Sequence, residues 1–152
     1  MSPNESGVFA TLLQRQLGQL VRAYEICDQV CSTMNGVTPA QSYTLLSLPE
    51  KGYLSMNDLS ETMGLAKSTM TRMVDQLVEK ELVRRKPDAE DRRIVLVGLT
   101  IQGREVRTTL EKVLQDFFKQ VEAGLQEEER HLVLRSLERI TGLVREVLTK
   151  CC

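Results

Sequence analysis

Apolar side chains recur at helical spacing over most of the chain. Between residues 8 and 34 they follow one another at steps of three and four, which predicts an amphipathic helix of about seven turns. Two further stripes, within residues 100–125 and 126–148, predict two long helices. These two stripes are narrow, so their helices need a further surface to cover them. The three stripes consist of Leu13, Leu17, Leu20, Tyr24, Cys27 and Cys31; of Val106, Leu110, Val113, Leu114, Phe117, Val121 and Leu125; and of Val133, Leu137, Ile140, Val144, Val147 and Leu148.

A capping signal marks the start of the second helix. The segment "TPAQ" (residues 38–41) places Thr38 as the N-cap, Pro39 at the first helical position and Gln41 three residues after the cap. This combination is a capping box with the proline that is favoured at a helix start. We expect this short helix to end near Leu48.

The next two segments have the pattern of a helix-turn-helix. Ser55 and Asp58 cap a third helix that ends at Gly64, and the stretch "AKSTMTRMVDQLVEKELVRR" (residues 66–85) follows. One face of the helix in this stretch is apolar and the opposite face is polar. The polar face suits a DNA major groove, because short hydroxyls reach phosphates and base edges and a guanidinium can bind guanine through two hydrogen bonds. The apolar face consists of Met70, Met73, Val74, Leu77 and Val78, and the polar face of Ser68, Thr71, Arg72, Asp75 and Gln76.

A β-hairpin is predicted directly after this helix. Strands over residues 82–86 and 94–99 flank a turn that begins at Pro87, and the tip, "DAEDRR", holds three acids and two arginines. Asp91 is expected to pair with Arg93 and to orient it, so that the guanidinium enters an adjacent minor groove, where negative potential attracts arginine. The hairpin is therefore interpreted as the wing of a winged helix-turn-helix domain.

The sequence resembles the MarR (multiple-antibiotic-resistance regulator) family of winged helix-turn-helix repressors from roughly Leu17 onward. The resemblance is carried by "VTPAQ", by "STMTRMVDQLVEKELVRR" and above all by "DAEDRRIVLVGLTIQG". The last segment is similar to the family's wing pattern of Asp, one residue, Arg, and a strand ending in Leu-Thr with Gly three residues later. The resemblance implies a mainly α fold with a small β-wing. It divides the chain into an N-terminal dimerisation helix (residues 8–34), a winged helix-turn-helix DNA-binding domain (38–99) and C-terminal dimerisation helices (100–152) that interlock with those of a second chain.

The resemblance also implies a function. Members regulate transcription, by default as repressors, and bind a palindromic operator as homodimers whose two half-sites lie about 34–36 Å apart. A small ligand, a metal or a thiol oxidation loosens DNA binding. The predicted partners are therefore double-stranded DNA, a second copy of the chain and an effector, while neither a cofactor nor a resident metal ion is expected. The residues predicted to contact DNA are Lys67, Ser68, Thr69, Thr71, Arg72, Gln76, Asp91, Arg92 and Arg93.

Composition and charge are consistent with this function but do not establish it. The 152 residues are 41% hydrophobic and 27% charged, which is typical of a soluble globular protein that needs no disulfide or metal for stability. The net charge is −1, yet residues 67–93 carry eight basic against six acidic residues, which is consistent with a basic face on an acidic body. The sequence shows neither an apolar run of membrane-spanning length nor a signal-peptide pattern, and we expect a cytoplasmic protein without membrane contact.

The four cysteines leave two interpretations open. Cys27 and Cys31 lie one turn apart on the first helix, and Cys151 and Cys152 stand at the other end of the sequence. Both pairs belong to helices that the family interlocks, so they are candidates for a thiol or metal sensor. However, Cys27 and Cys31 also continue the apolar stripe of their helix, and a buried cysteine behaves as a small hydrophobe.

The sequence also contains candidate residues for binding a small-molecule effector. For a small organic acid, the resemblance implies a pocket between the dimer helices and the winged domain, where Arg22, Tyr24 and Tyr43 offer a cation, hydroxyls and apolar surface. Packing and surface roles explain these three residues equally well. His131, the sole histidine, is predicted to be a surface residue, and one histidine excludes a three-histidine metal site within one chain.

Two other classes of function were weighed against a DNA-binding regulator. An enzyme is not supported, because the chain lacks a Gly-x-Ser-x-Gly elbow, a Walker loop and a Gly-x-Gly-x-x-Gly motif. A dimeric adaptor that retains a winged domain for protein contacts remains the alternative. The effect of Arg93→Ala on DNA affinity distinguishes this adaptor from a regulator.

Overall fold

The computed structural model describes the backbone of residues 3–151 and the side chains of residues 7–150. It confirms a mainly helical fold with one small antiparallel sheet. The elements are, in chain order, α1 (Pro3–Met34), α2 (Pro39–Ser47), β1 (Leu54–Ser55), α3 (Met56–Met63), α4 (Lys67–Glu79), β2 (Val83–Pro87), β3 (Val95–Leu99), α5 (Ile101–Ala123) and α6 (Glu127–Cys151).

The predicted caps of the short helices are confirmed. The Thr38 hydroxyl accepts from the Gln41 N–H over 3.3 Å, and the Gln41 side chain accepts in return from the Thr38 N–H over 3.1 Å. Ser55 caps α3, and Gly64 ends it in a left-handed conformation (φ 62°) that glycine adopts without steric cost. By contrast, α1 begins at Pro3 rather than at residue 8, since an apolar stripe marks where a helix packs and not where it starts.

The sheet has the strand order β1-β3-β2, and only the hairpin of β2 and β3 was predicted. The missing strand, β1, pairs just Leu54 and Ser55 with β3, which is too short a run to show an alternating pattern. Val97 and Leu99 of β3 share one strand face and are buried in the core. Gly98 leaves room for the Tyr53 ring, because a Cβ at Gly98 would lie 2.7 Å from a ring carbon of Tyr53.

The core joins α4 to the short helices and the sheet. Met70, Val74 and Leu77 of α4 are fully buried, as the apolar face predicted. Val78 was assigned to the same face but is 38% exposed, because it lies in the last turn of the helix, at the edge of the packed surface. The buried apolar residues of this core are Val37, Leu45, Leu48, Leu59, Met70, Val74, Leu77, Leu82, Val83, Val97, Leu99 and Leu110.

The end of α4 is joined to the start of α5 through Thr100. The Thr100 hydroxyl donates to the Glu81 carbonyl over 2.6 Å and accepts from the Gly103 N–H over 2.9 Å, which confirms Thr100 as the cap of α5. Gly103 lies directly against the backbone of Leu82, and a Cβ there would overlap the Leu82 carbonyl oxygen. The glycine of the wing pattern is therefore required by this close approach of two backbones.

The structure divides into two compact units, one ending at Lys112 and the other beginning at Val113, inside α5. In the second unit, the Gln126 N–H donates to the Glu129 carboxylate over 2.8 Å, which supplies half of a capping box without serine or threonine. Val133 and Ile140 of the predicted α6 stripe are partly buried, whereas the rest of that stripe is exposed. Among the residues described, no helix combines the length and hydropathy that crossing a membrane requires.

Candidate nucleic-acid interface

The N-terminus of α4 is open to solvent. Its N-cap, Ala66, has no side-chain oxygen, and no side chain caps the first turn. Lys67, Ser68 and Thr69 are exposed around this turn. The first N–H groups of a helix lack partners within the helix and carry a partial positive charge, so this end of α4 is suited to a phosphate.

The polar face of α4 is exposed as predicted, but three of its side chains, those of Thr71, Asp75 and Gln76, are already engaged. The Thr71 hydroxyl donates to the Lys67 carbonyl over 2.8 Å. The Gln76 amide oxygen accepts from the side chain of Gln41 in α2 over 3.1 Å. Arg72, on the same face, is exposed to solvent. The face thus offers a guanidinium at its centre and an amide held in place at its C-terminal end.

Gln41 connects three parts of the winged domain. It is only 3% exposed, and its amide oxygen accepts from the Thr38 N–H and from Lys80 Nζ, over 3.1 and 3.0 Å. Lys80 also donates to the Gly36 carbonyl over 2.7 Å. The C-terminal end of α4 is therefore fixed to the turn between α1 and α2, a connection that the capping-box prediction did not include.

A second connection that the sequence analysis missed holds the wing against α4. Arg85 of β2 donates to the Asp75 carboxylate over 2.6 Å and to the Thr71 carbonyl over 3.0 Å. The alternation of side chains along β2 could have indicated this contact, because Arg85 shares a strand face with the buried Val83 and therefore points toward the helix. The wing and the helix are thus positioned relative to each other by a charge-assisted contact.

The wing tip confirms the predicted pairing of Asp91 with Arg93. Both carboxylate oxygens of Asp91 accept from the Arg93 guanidinium, over 3.1 and 3.2 Å, and one accepts from the Arg93 N–H over 3.0 Å. Hydrogen bonding to Arg93 lowers the pKa of Asp91. Asp88 folds the tip by accepting from the N–H groups of Glu90 and Asp91, which lowers the pKa of Asp88. Arg93 remains 91% exposed, so it is oriented and still available.

Substituting Asp91 distinguishes orientation from simple electrostatics. Asp91→Asn removes a negative charge near DNA, yet we expect it to weaken DNA binding about two- to fivefold, because Arg93 loses the carboxylate that orients it. Glu90→Gln is the matched control: it removes the same charge from the same tip, where only the Glu90 backbone is hydrogen-bonded. Fluorescence anisotropy with labelled DNA measures both, and tighter binding by both variants would contradict the orienting role.

A cationic cleft lies between α4 and the wing. It has a volume of about 300 Å³ and is lined by three cationic side chains, Lys67, Arg85 and Arg93; the last two also form ion pairs with Asp75 and Asp91. Lys67 at the start of α4 and Arg93 at the wing tip both line the cleft, so an anionic strand bound there can contact both. The complete lining is Met56, Asn57, Lys67, Thr71, Arg85, Arg93, Ile94 and Val95.

The structure brings two of the three candidate effector residues together. Burial, a hydrogen bond with Tyr24 and the nearby charge of Asp28 raise the pKa of Tyr43, so the two tyrosines form one cluster with this carboxylate. Arg22 is two residues from Tyr24, on the opposite side of α1, and its guanidinium lies near Gly18. The cluster therefore has a carboxylate where an organic acid would need a cation.

Of the remaining candidates, Cys27 and Cys31 are adjacent and partly buried, with their sulfur atoms 3.9 Å apart. His131 is exposed near the start of α6. The side chain of Cys151 and the whole of Cys152 lie outside the described residues, so their role in a thiol or metal sensor stays a prediction. Within the part of the chain that is described, no three His, Cys, Asp or Glu side chains come together as a metal site.

Comparisons with known proteins point to one family. The model of the MarR family matches residues 37–95. The uncharacterized HTH-type transcriptional regulator YdgJ of Bacillus subtilis is 31% identical over 112 residues, which cover 74% of this chain and 68% of YdgJ. The HTH-type transcriptional repressor MdtR of the same species is 40% identical over 68 residues, 45% of this chain and 44% of MdtR. The crystal structure of Streptococcus pneumoniae FabT in complex with DNA aligns with a TM-score of 0.83 at 16% identity, over 91% of this chain and 99% of FabT.

Proposed function

Because the chain belongs to the MarR family of HTH-type transcriptional regulators, we propose that it binds a palindromic operator as a homodimer, represses transcription and is released by an effector. The observation that carries this proposal is the cationic cleft, which has the exposed start of α4 on one side and the oriented Arg93 on the other. The DNA complex of FabT and the repressor MdtR support the same mode of action.

The two sides of the cleft are assigned to two neighbouring grooves of the DNA. We assign α4 to the major groove, with its N-terminal N–H groups, Lys67, Ser68 and Thr69 on phosphate and Arg72 on a base edge. The wing extends to the neighbouring minor groove, where Arg93 inserts and Arg92 adds positive charge. Asp91 orients Arg93. The Arg85–Asp75 ion pair fixes the spacing between α4 and the wing, the two elements that contact DNA. Thr71 and Gln76 complete the face as residues whose positions are fixed by hydrogen bonds.

The homodimer is supported by the apolar surface that a single chain leaves exposed. Large apolar side chains are exposed along α1 and, in the second unit, along α6, and exposed apolar surface marks interaction sites when it is extensive. A second copy covers these helices and places two winged domains on two half-sites related by symmetry. The exposed residues are Val8, Phe9, Leu12, Leu20, Val21, Ile26, Val30 and Met34 of α1, and Leu132, Leu134, Leu137, Leu143, Val144, Val147 and Leu148 of α6.

We assign the binding of the effector that releases the protein from DNA to the cluster of Tyr24, Tyr43 and Asp28. The two hydroxyls offer hydrogen bonds, and the Asp28 carboxylate is 6% exposed. A carboxylate in this position repels an organic anion, so the cluster favours a neutral or cationic compound that can hydrogen-bond to the tyrosines.

Fluorescence anisotropy of the reduced protein tests the DNA-binding proposal. The probe is labelled DNA from upstream of the protein's own gene, titrated at several salt concentrations beside a scrambled duplex. We expect binding at least about 1,000-fold tighter than to the scrambled duplex, a strong fall in affinity with salt, and two chains per operator. Equal affinity for both duplexes would contradict sequence-specific recognition, and absence of binding at low salt would favour the adaptor.

A further inference from the structure

The sulfur atoms of two cysteines on α1 are close enough together for one ion to bind both. Cys27 and Cys31 are one helical turn apart, free and partly buried, and their sulfur atoms are separated by 3.9 Å. The DNA-binding proposal does not use them, and the charged contacts of the winged domain do not involve them. The geometry of α1 decides whether these two thiols can form a disulfide or bind an ion.

The helix opposes a direct bond between these sulfur atoms. Side chains four residues apart on a helix have Cβ atoms about 5–6 Å apart, whereas a disulfide needs about 3.5–4.5 Å. Hydrogen bonds hold the helix on both sides of the pair: the Asn35 side chain donates to the Cys31 carbonyl over 2.8 Å, and the buried Ser32 donates to Asp28 over 3.4 Å. Oxidation to an intrachain disulfide would have to distort this hydrogen-bonded segment.

The same separation fits an atom placed between the two sulfurs. Two thiolates bound at about 2.3 Å to one tetrahedral ion lie about 3.8 Å apart, which is close to the observed 3.9 Å. A bridging ion therefore requires almost no movement of the helix. Thiolate donors select soft ions over hard ones.

The surroundings of the two sulfur atoms favour a cation. Asp28, the residue after Cys27, is only 6% exposed, and its carboxylate attracts positive charge. Among the residues described, no third ligand completes a metal cluster, so an ion would keep its remaining positions for exogenous ligands.

We propose that Cys27 and Cys31 form a two-thiolate site for a thiophilic metal or metalloid ion. Binding forms two sulfur–ion bonds and releases the two thiol protons, with no change of oxidation state. With phenylarsine oxide, two As–S bonds form, and the oxygen takes up the two thiol protons and leaves as one water molecule. The inference goes beyond the DNA-binding function and does not depend on it.

The test uses a chain in which Cys151→Ser and Cys152→Ser leave only the two thiols of α1. Intact-mass spectrometry after addition of equimolar phenylarsine oxide is expected to show one arsenical per chain. Adding Cys27→Ser or Cys31→Ser should weaken binding at least tenfold. Titration with cadmium chloride, followed by the ultraviolet absorption of the Cd–thiolate bond, should give the same stoichiometry and the same losses.

Three results would overturn the proposal: no arsenical on the two-thiol chain, undiminished binding after either serine substitution, or efficient formation of an intrachain disulfide with diamide. Circular dichroism of each variant separates loss of the site from loss of the helix. No DNA is present in these assays, so the outcome leaves the operator-binding proposal untouched.

Discussion

The Arg93→Ala variant is expected to lose about tenfold or more in operator affinity for each wing, because an arginine contact inside a groove contributes about 1–3 kcal/mol. The homodimer carries two such contacts, so the loss in binding free energy is doubled. The side chain is 91% exposed and contacts only the wing tip, so the fold should be unaffected. Fluorescence anisotropy measures the affinity, and thermal unfolding checks the fold.

Two further variants identify the reason for the loss. Lys51→Ala removes one positive charge from the exposed turn between α2 and β1, and we expect its affinity to stay within about twofold of the unmodified protein. Arg93→Lys keeps the charge but lacks the planar fork of donors, so it should recover only part of the affinity. Equal losses in Arg93→Ala and Lys51→Ala would show that the wing acts only through its overall charge, and no loss in Arg93→Ala would refute its assignment to the minor groove.

A methyl group at Gly103 is expected to destabilise the junction between the winged domain and α5 strongly. In the Gly103→Ala variant the new Cβ would overlap the Leu82 carbonyl oxygen and lie 2.8 Å from the carbonyl carbon. Both are backbone atoms, which cannot rotate away as a side chain does. We expect the free energy of unfolding to fall by about 3 kcal/mol or more, at the upper end of the cost of overpacking.

Gly142→Ala is the matched control in α6. Apart from the backbone of its own helix and its chain neighbours, no heavy atom of the described residues lies within 4 Å of the position that its Cβ would take, so this helical glycine should accept alanine and gain about 0.4–1 kcal/mol in stability. Urea unfolding followed by circular dichroism compares the two variants. Similar shifts of the unfolding midpoint in the two variants would show that the contact at Leu82 is not the cause.

The sequence predicted the features that depend on neighbouring residues. The capping box of α2, the ends of α3 and the pairing within the wing tip involve partners two or three residues apart, so their chemistry can be read along the chain. The cap of α5 by Thr100 belongs to the same group. The face of α4 was also predictable, because burial of Met70, Val74 and Leu77 follows helical periodicity.

Contacts between distant segments could not be obtained in this way. Gln41 and Gln76 are separated by 35 positions, and Arg85 and Asp75 by 10, so their pairing depends on the packing of the folded domain. Helix periodicity alone could have placed Arg22 and Tyr24 on opposite sides of α1. The position of the Asp28 carboxylate next to Tyr43 could be seen only in the structure. The interlocked dimer and the DNA contacts remain predictions, because they depend on a second chain and on DNA.

The hydrogen bonds at the wing tip also decide how it responds to acid. The backbone N–H groups of Asp91 and Glu90 lower the pKa of Asp88, and Arg93 lowers that of Asp91, so both carboxylates stay ionised at and above the ordinary carboxyl value of about 4. The ordered tip is lost only as the pH falls through these lowered values. Mild acidification therefore leaves the orientation of Arg93 unchanged, and a pH-dependent change in operator affinity between about pH 5 and 8 would have to originate outside the wing tip.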